Sequence, residues 1–174
     1  GYSREHEERG SPEDQNGEEP TIFHSHTAHL GSEIKGGNLK IRFGGTYEEL
    51  DFDDVGTSAG FNINNDDRDR RLIGAGVQVS YDLSDKIQPF AQYIYDDRKY
   101  DILLDDNGYR RDSKGYRLAA GLKYLTKPTL SAEFYAGTLY QDYEDPRLSN
   151  VSKPDFGTKM TWLPSPTTRI SGAI

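Results

Sequence analysis

Cysteine is absent from this chain, methionine and tryptophan occur once each, and apolar residues fill only 33% of its 174 positions. No CxxC, GxGxxG, P-loop or HExxH pattern occurs, so the common cofactor and metal signatures are missing. Lack of cysteine allows an oxidising compartment without demanding one. No apolar run reaches the roughly 18–20 residues that a membrane-spanning helix needs. The net charge of −8 argues against nucleic acid as a partner. Low apolar content with high charge is also the composition of disordered chains. Yet the sequence holds 12 Tyr and 7 Phe, the residues such chains lack. A barrel in lipid reconciles these facts, because lipid covers the apolar outside while the interior stays polar.

Residues 1–20 are charged and read as a solvated tail or long loop, and 21–174 as a single β-barrel segment. From residue 21 onward a period of two dominates, the signal of half-buried strands. In 72–81, Ile73, Ala75, Val77, Val79 and Tyr81 alternate with Gly74, Gly76, Gln78 and Ser80. The same pattern recurs in 39–47, 116–124, 130–140 and 156–162, and more weakly in 22–31, 87–96 and 167–174. These segments predict about eight antiparallel strands near 21–31, 38–50, 69–82, 87–97, 113–126, 129–141, 154–163 and 167–174. Short connections (84–86, 126–129, 164–167 and a slightly longer one at 33–38) alternate with long acidic ones at 50–68, 97–114 and 142–155. Short periplasmic turns and long extracellular loops are the pattern of an up-and-down outer-membrane barrel.

Aromatic residues supply a length check. Tyr81, Tyr124 and Trp162 sit beside short turns; Tyr47, Tyr116, Tyr140 and Phe156 sit toward long loops. From Tyr116 to Tyr124 is about 26 Å along a strand, or about 20 Å after a tilt near 40°, close to the roughly 25 Å apolar band of such barrels. Alternation alone fits a lipocalin-like barrel with its apolar face inside equally well. The girdles and the loop asymmetry favour the membrane barrel and make these seven aromatics its lipid-facing girdle.

The opposite face supplies the candidate lumen: Lys40, Arg42, Gln78, Arg117, Lys123, Glu133, Lys159 and Arg169. It is cationic although the chain is acidic, and rings of Lys or Arg favour anions in pores. The alternative is that these cations pair with carboxylates and merely satisfy a plugged interior. His24, His26 and His29 are the only clustered potential metal ligands, but alternation puts His29 on the other face, so no metal site is assigned. The loop carboxylates match no EF-hand spacing and read as solvated surface, with calcium as the alternative. Ser25 lies among the histidines, but strand neighbours point to opposite faces and no third partner is evident, so no catalytic residue is assigned.

The stretches NNDDRDR (64–70), GVQVSYDLSDKIQPFAQYIYDDRKYD (76–101), GYRRDSKGYRLAAGLKY (108–124), YAGTLYQDYEDPRLS (135–149) and MTWLPSPTTR (160–169) resemble the putative beta-barrel porin type 2 family. The resemblance implies a Gram-negative outer-membrane barrel, often associated with exopolysaccharide export. Members are much longer than this chain, so it also implies a fragment with strands missing on both sides. An eight-stranded closed barrel is the geometric alternative. The expected function is passage of polar solutes, anionic or saccharide, across the outer membrane, without enzymatic chemistry or cofactor. The expected partners are membrane lipid and the solute or polysaccharide; the sequence specifies no periplasmic partner. A barrel that only displays its loops is the alternative from another class.

Overall fold

In a strand each successive side chain turns to the opposite face, so an alternating sequence builds a two-faced sheet. A computed structural model describes residues 1–8, 17–127, 129–165 and 167–174. Its strands are β1 (Tyr2–His6), β2 (Ile22–Gly36), β3 (Leu39–Phe52), β4 (Val55–Gly56), β5 (Asn62–Ile63), β6 (Arg70–Tyr81), β7 (Ile87–Tyr100), β8 (Ser113–Lys127), β9 (Leu130–Tyr143), β10 (Val151–Ser165) and β11 (Thr168–Ala173). Nine of them form one antiparallel meander in the order β1-β2-β3-β6-β7-β8-β9-β10-β11, while β4 and β5 make a separate ribbon in the first long loop. The sheet is open, with β1 and β11 at its edges.

All eight expected strands are present, and several run further than their clearest alternation. Strand β2 continues to Gly36, so its connection to β3 is the two-residue turn Gly37-Asn38. Such turns need a left-handed backbone, and Gly37 supplies it with φ +57°. Strand β10 begins at Val151, which shortens the third long loop to 144–150. Alternation is clear in the sequence only from Phe156 onward, whereas Pro154 already sits in register opposite Thr138, although proline cannot donate to the ladder. The tail expectation for residues 1–20 needs correction as well. Tyr2–His6 pair with Ile22–His26, in a strand too short and too charged to show periodicity. Residues 9–16 of that tail, and Pro128 and Pro166 of the predicted turns, lie outside the described residues.

Among the described residues the buried hydrophobic core amounts to Phe52, Val55, Phe90 and Ala119, whereas many large apolar side chains are exposed. Most of those in the strands share a face, Ile94 on the inner face being an exception. Across β2, β3, β6, β7, β8, β9 and β10, one row reads Ile34, Ile41, Val79, Ala91, Ala120, Ala136, Phe156. The four successive rows that hold Tyr81, Val79, Val77 and Ala75 carry no charged residue. They span about 20 Å along β6 at roughly 3.3 Å per residue. Charge returns on this face two residues toward the long loops, where Ile73 is followed across the sheet by Asp97, Lys114 and Asp142.

Glycines on the inner face let the sheet curl. Gly31, Gly44 and Gly76 stand in one row, and a Cβ on Gly44 would lie 2.7 Å from the Leu30 carbonyl oxygen. On the other flank the Tyr135 ring lies close over Gly157 and the Phe90 ring against Gly121. The curl brings inner residues of β2, β3, β6, β7, β8, β9 and β10 around a single hollow.

Candidate functional site: inner wall and loop crown

Register places Lys40, Arg42, Gln78, Arg117, Lys123, Glu133 and Lys159 on the inner face, and Arg169 follows because its neighbour Ile170 faces outward beside Trp162. Tyr47, Tyr81, Tyr116, Tyr124, Tyr140 and Trp162 lie on the outer face. Tyr116 stacks on Tyr93 and Tyr140, with ring centroids 6.2 and 5.2 Å apart, near the long-loop end. Phe156 shares that face but stands in the middle of the charge-free band, opposite Ala136 and 75% exposed, because β10 starts earlier than its sequence suggests.

The inner cations divide into two sets. Arg42 Nη2 lies 2.8 Å from Glu33 Oε2, Lys40 Nζ 2.7 Å from Asp82 Oδ2, and Arg117 Nε 2.9 Å from Asp155 Oδ2. The last pair crosses β9 beside Gly137, where there is no side chain to block it. Lys123, Lys159 and Arg169 have no carboxylate within ion-pair distance among the described residues. Glu33 and Asp155 were missed as inner acids, though extending the alternation past Ile34 and back from Phe156 exposes both. In its turn, Asp82 is held below the usual carboxylate range, first by the hydrogen bond from Lys40 and then by that from Gln88.

At the opposite end the long loops are tied together. Arg111 of the second loop reaches Asp67 of the first at 2.6 Å and Asp105 at 3.1 Å. Arg110 donates to Glu144 of the third loop at 2.9 Å, and its backbone N–H donates to Asp145 at 3.0 Å. Arg147 pairs with Asp145 at 2.6 Å, reaches back to the Gly108 carbonyl and lies 4.4 Å from the Tyr109 ring centre. Arg68, almost wholly buried, pairs with Glu7 and lies 4.2 Å from the Phe52 ring centre. Fully buried Asn65 donates to the Asp53 carbonyl at 2.9 Å. Many loop acids therefore serve as Arg partners rather than as plain solvated surface. Among the described residues no group of three or more His, Cys, Asp or Glu is placed to hold a metal ion. The loop arginines gave no periodic signal, because pairing between loops follows three-dimensional closure rather than spacing.

Two loop acids respond oppositely to pH. Burial raises Asp69 to about 6, partly offset by the hydrogen bond from the Phe52 N–H. Asp145 is held far below the ordinary range by Arg147 and by the N–H groups of Arg110 and Arg147. Between about 4 and about 6 the folded chain binds a proton at Asp69 that the unfolded chain has released. This contribution therefore strengthens as pH falls through about 6 and weakens as it rises. The Asp145 latch persists to strongly acid pH. Hydrogen exchange at Phe52 and Asp101, whose N–H groups bond Asp69, should slow relative to its intrinsic rate between pH 7 and 5. Asp69→Asn should abolish that change; a wild type that loosens over this range would contradict the assignment.

The histidines do not converge. His24 Nδ1 and the Tyr2 hydroxyl are 2.7 Å apart on the outer face, whereas His29 faces inward. Ser25 is buried on the inner face, away from His24 and His26, so no serine–histidine pair is assembled there.

The sequence model of one protein family, described as Putative beta-barrel porin 2, matches residues 1–174. The chain belongs to this porin family. No curated protein and no solved structure matches it. The antiparallel meander is the kind of sheet from which a β-barrel porin wall is built, in keeping with this family.

Proposed function

We propose that the chain forms the wall of an outer-membrane pore that passes small polar solutes, anions preferentially, and makes or breaks no bond. The observation that carries this reading is the division of the sheet into two faces. Outside, four charge-free rows run about 20 Å along β6, or about 15 Å after a tilt near 40°, against an apolar band of roughly 25 Å in such barrels. Inside, the wall holds Arg, Lys, Glu and Gln, with lysines toward the short turns that have no carboxylate within ion-pair distance among the described residues. A saccharide, the cargo class implied by the resemblance, would meet amide donors such as Gln78 and Gln92, which stand 3.5 Å apart. Unpaired backbone groups cost several kcal/mol each in lipid, so the edges at β1 and β11 require further strands to close the pore.

A spin label placed separately at Val77→Cys and Gln78→Cys tests the faces, since any introduced thiol is the only one. In lipid, position 77 should be accessible to oxygen and position 78 to a water-soluble nickel reagent. Shielding of position 77 from both would make the apolar face a protein core and remove the pore reading. The interlocked loops favour a second reading, a barrel that displays its crown without conducting. Planar-bilayer recording separates the two: stepwise conductance supports the pore, and silence with correctly inserted protein supports display.

A further inference from the structure

At the short-turn end of the inner wall lies a hollow of about 350 Å³. Its cations are Lys35, Lys40, Arg42, Lys123 and Lys159, set against only two carboxylates in the lining, Glu33 and Glu133. Adding Asp82, which holds Lys40, five positive charges face three negative ones and leave a surplus of two. One of the two surplus charges lies at each shared carboxylate. Glu33 is engaged by Lys35 at 3.0 Å and Arg42 at 2.8 Å, and Asp82 by Lys40. Lys123 and Lys159 flank Glu133 from the adjacent strands, so two ammonium groups share one carboxylate, and neither comes within ion-pair distance of it.

We propose that this hollow binds a doubly charged oxyanion of the phosphate type, held between Lys123 and Lys159. This rests on the pore reading only for the anion's route of entry. A dianion matches the surplus of two over the whole hollow, one charge from Lys35 with Arg42 and one from Lys123 with Lys159, which one chloride does not. Its several acceptor oxygens suit ammonium groups, which carry three donors each. Gln88, in register with Lys123, and Ser80 supply neutral donors in the same lining. Phe90 and Leu125 form an apolar part of that lining, and a lower local dielectric strengthens the attraction. The volume admits inorganic phosphate with water, or a small phosphate ester.

The direct test is equilibrium dialysis of inorganic phosphate against the purified, folded full chain in detergent at low ionic strength, repeated with glycerol phosphate. Saturable binding of phosphate is expected, weakened about tenfold or more in the Lys123→Gln/Lys159→Gln double variant. Lys114→Gln, on the outer face, should bind as the wild type does. Competition by glycerol phosphate would extend the site to esters; its absence would restrict the site to the free ion. No saturable binding, or equal binding by the double variant with its β-sheet circular dichroism intact, overturns the site. Bilayer recording then addresses the pore separately. Phosphate should block chloride current in the wild type and not in the double variant. Binding without any current would leave the site standing and refute the pore.

Discussion

Replacing Gly137 with valine is expected to cost about 3 kcal/mol or more and to leave most of the chain unable to fold in micelles. A Cβ at this position would stand 2.1 Å from the Leu118 carbonyl oxygen, 2.6 Å from Ala119 Cα and 2.7 Å from Ala119 Cβ. The first two are backbone atoms, so no rotamer change relieves the overlap. Ala119 is itself 4% exposed and held in register by Gln92 on one side and Gly137 on the other. Relief would require β8 and β9 to separate. It would also break the Arg117–Asp155 pair, which crosses β9 at this point. Urea unfolding followed through Trp162, the only tryptophan, measures the effect. The contrast is Gly36→Ala, where nothing lies within 4 Å of the added carbon and the change should stay within about 0.5 kcal/mol. A Gly137→Val chain as stable as the wild type would mean that β8 and β9 do not approach as described.

Gly137 also illustrates what can be read from a sequence of this kind. Alternation around it placed Leu130, Ala132, Phe134 and Ala136 on one face and Glu133, Tyr135 and Gly137 on the other, as the register has them. That works because a period of two leaves each side chain only two directions, and one direction has to be apolar in lipid. Alternation did not identify Gly157 as the residue beneath the Tyr135 ring, because that match depends on neighbouring strands. Pairing was invisible for the same reason. Arg117 meets Asp155 two strands away, 38 residues along the chain, and no local spacing announces it. The loops were least legible of all. Asp67 looks like a solvated acid by itself, and only closure of the crown turns it into the partner of Arg111, 44 residues along the chain.

The largest test of the outer face is a charge at its centre. Val79→Arg is expected to destabilise the folded chain in lipid by about 2–4 kcal/mol, the range for an arginine at the midplane of a membrane barrel. Val79 stands between Ile41 and Ala91 in the all-apolar row and is 40% exposed, so lipid rather than protein would surround the guanidinium. A neighbouring carboxylate could rescue it, but none of the four charge-free rows offers one. Gln78→Arg, one residue away and facing inward beside Arg42 and Gln92, should change stability by only about 0.5 kcal/mol, as for an ordinary surface replacement. The inward arginine should act on conduction instead, raising anion preference through the added positive charge on the wall. Urea titration in thin-bilayer vesicles reads the first effect, and reversal potentials in a salt gradient read the second. Equal stability of the two variants would mean that the apolar rows do not meet hydrocarbon. Loss of stability in Gln78→Arg alone would place the dry side of the sheet inside.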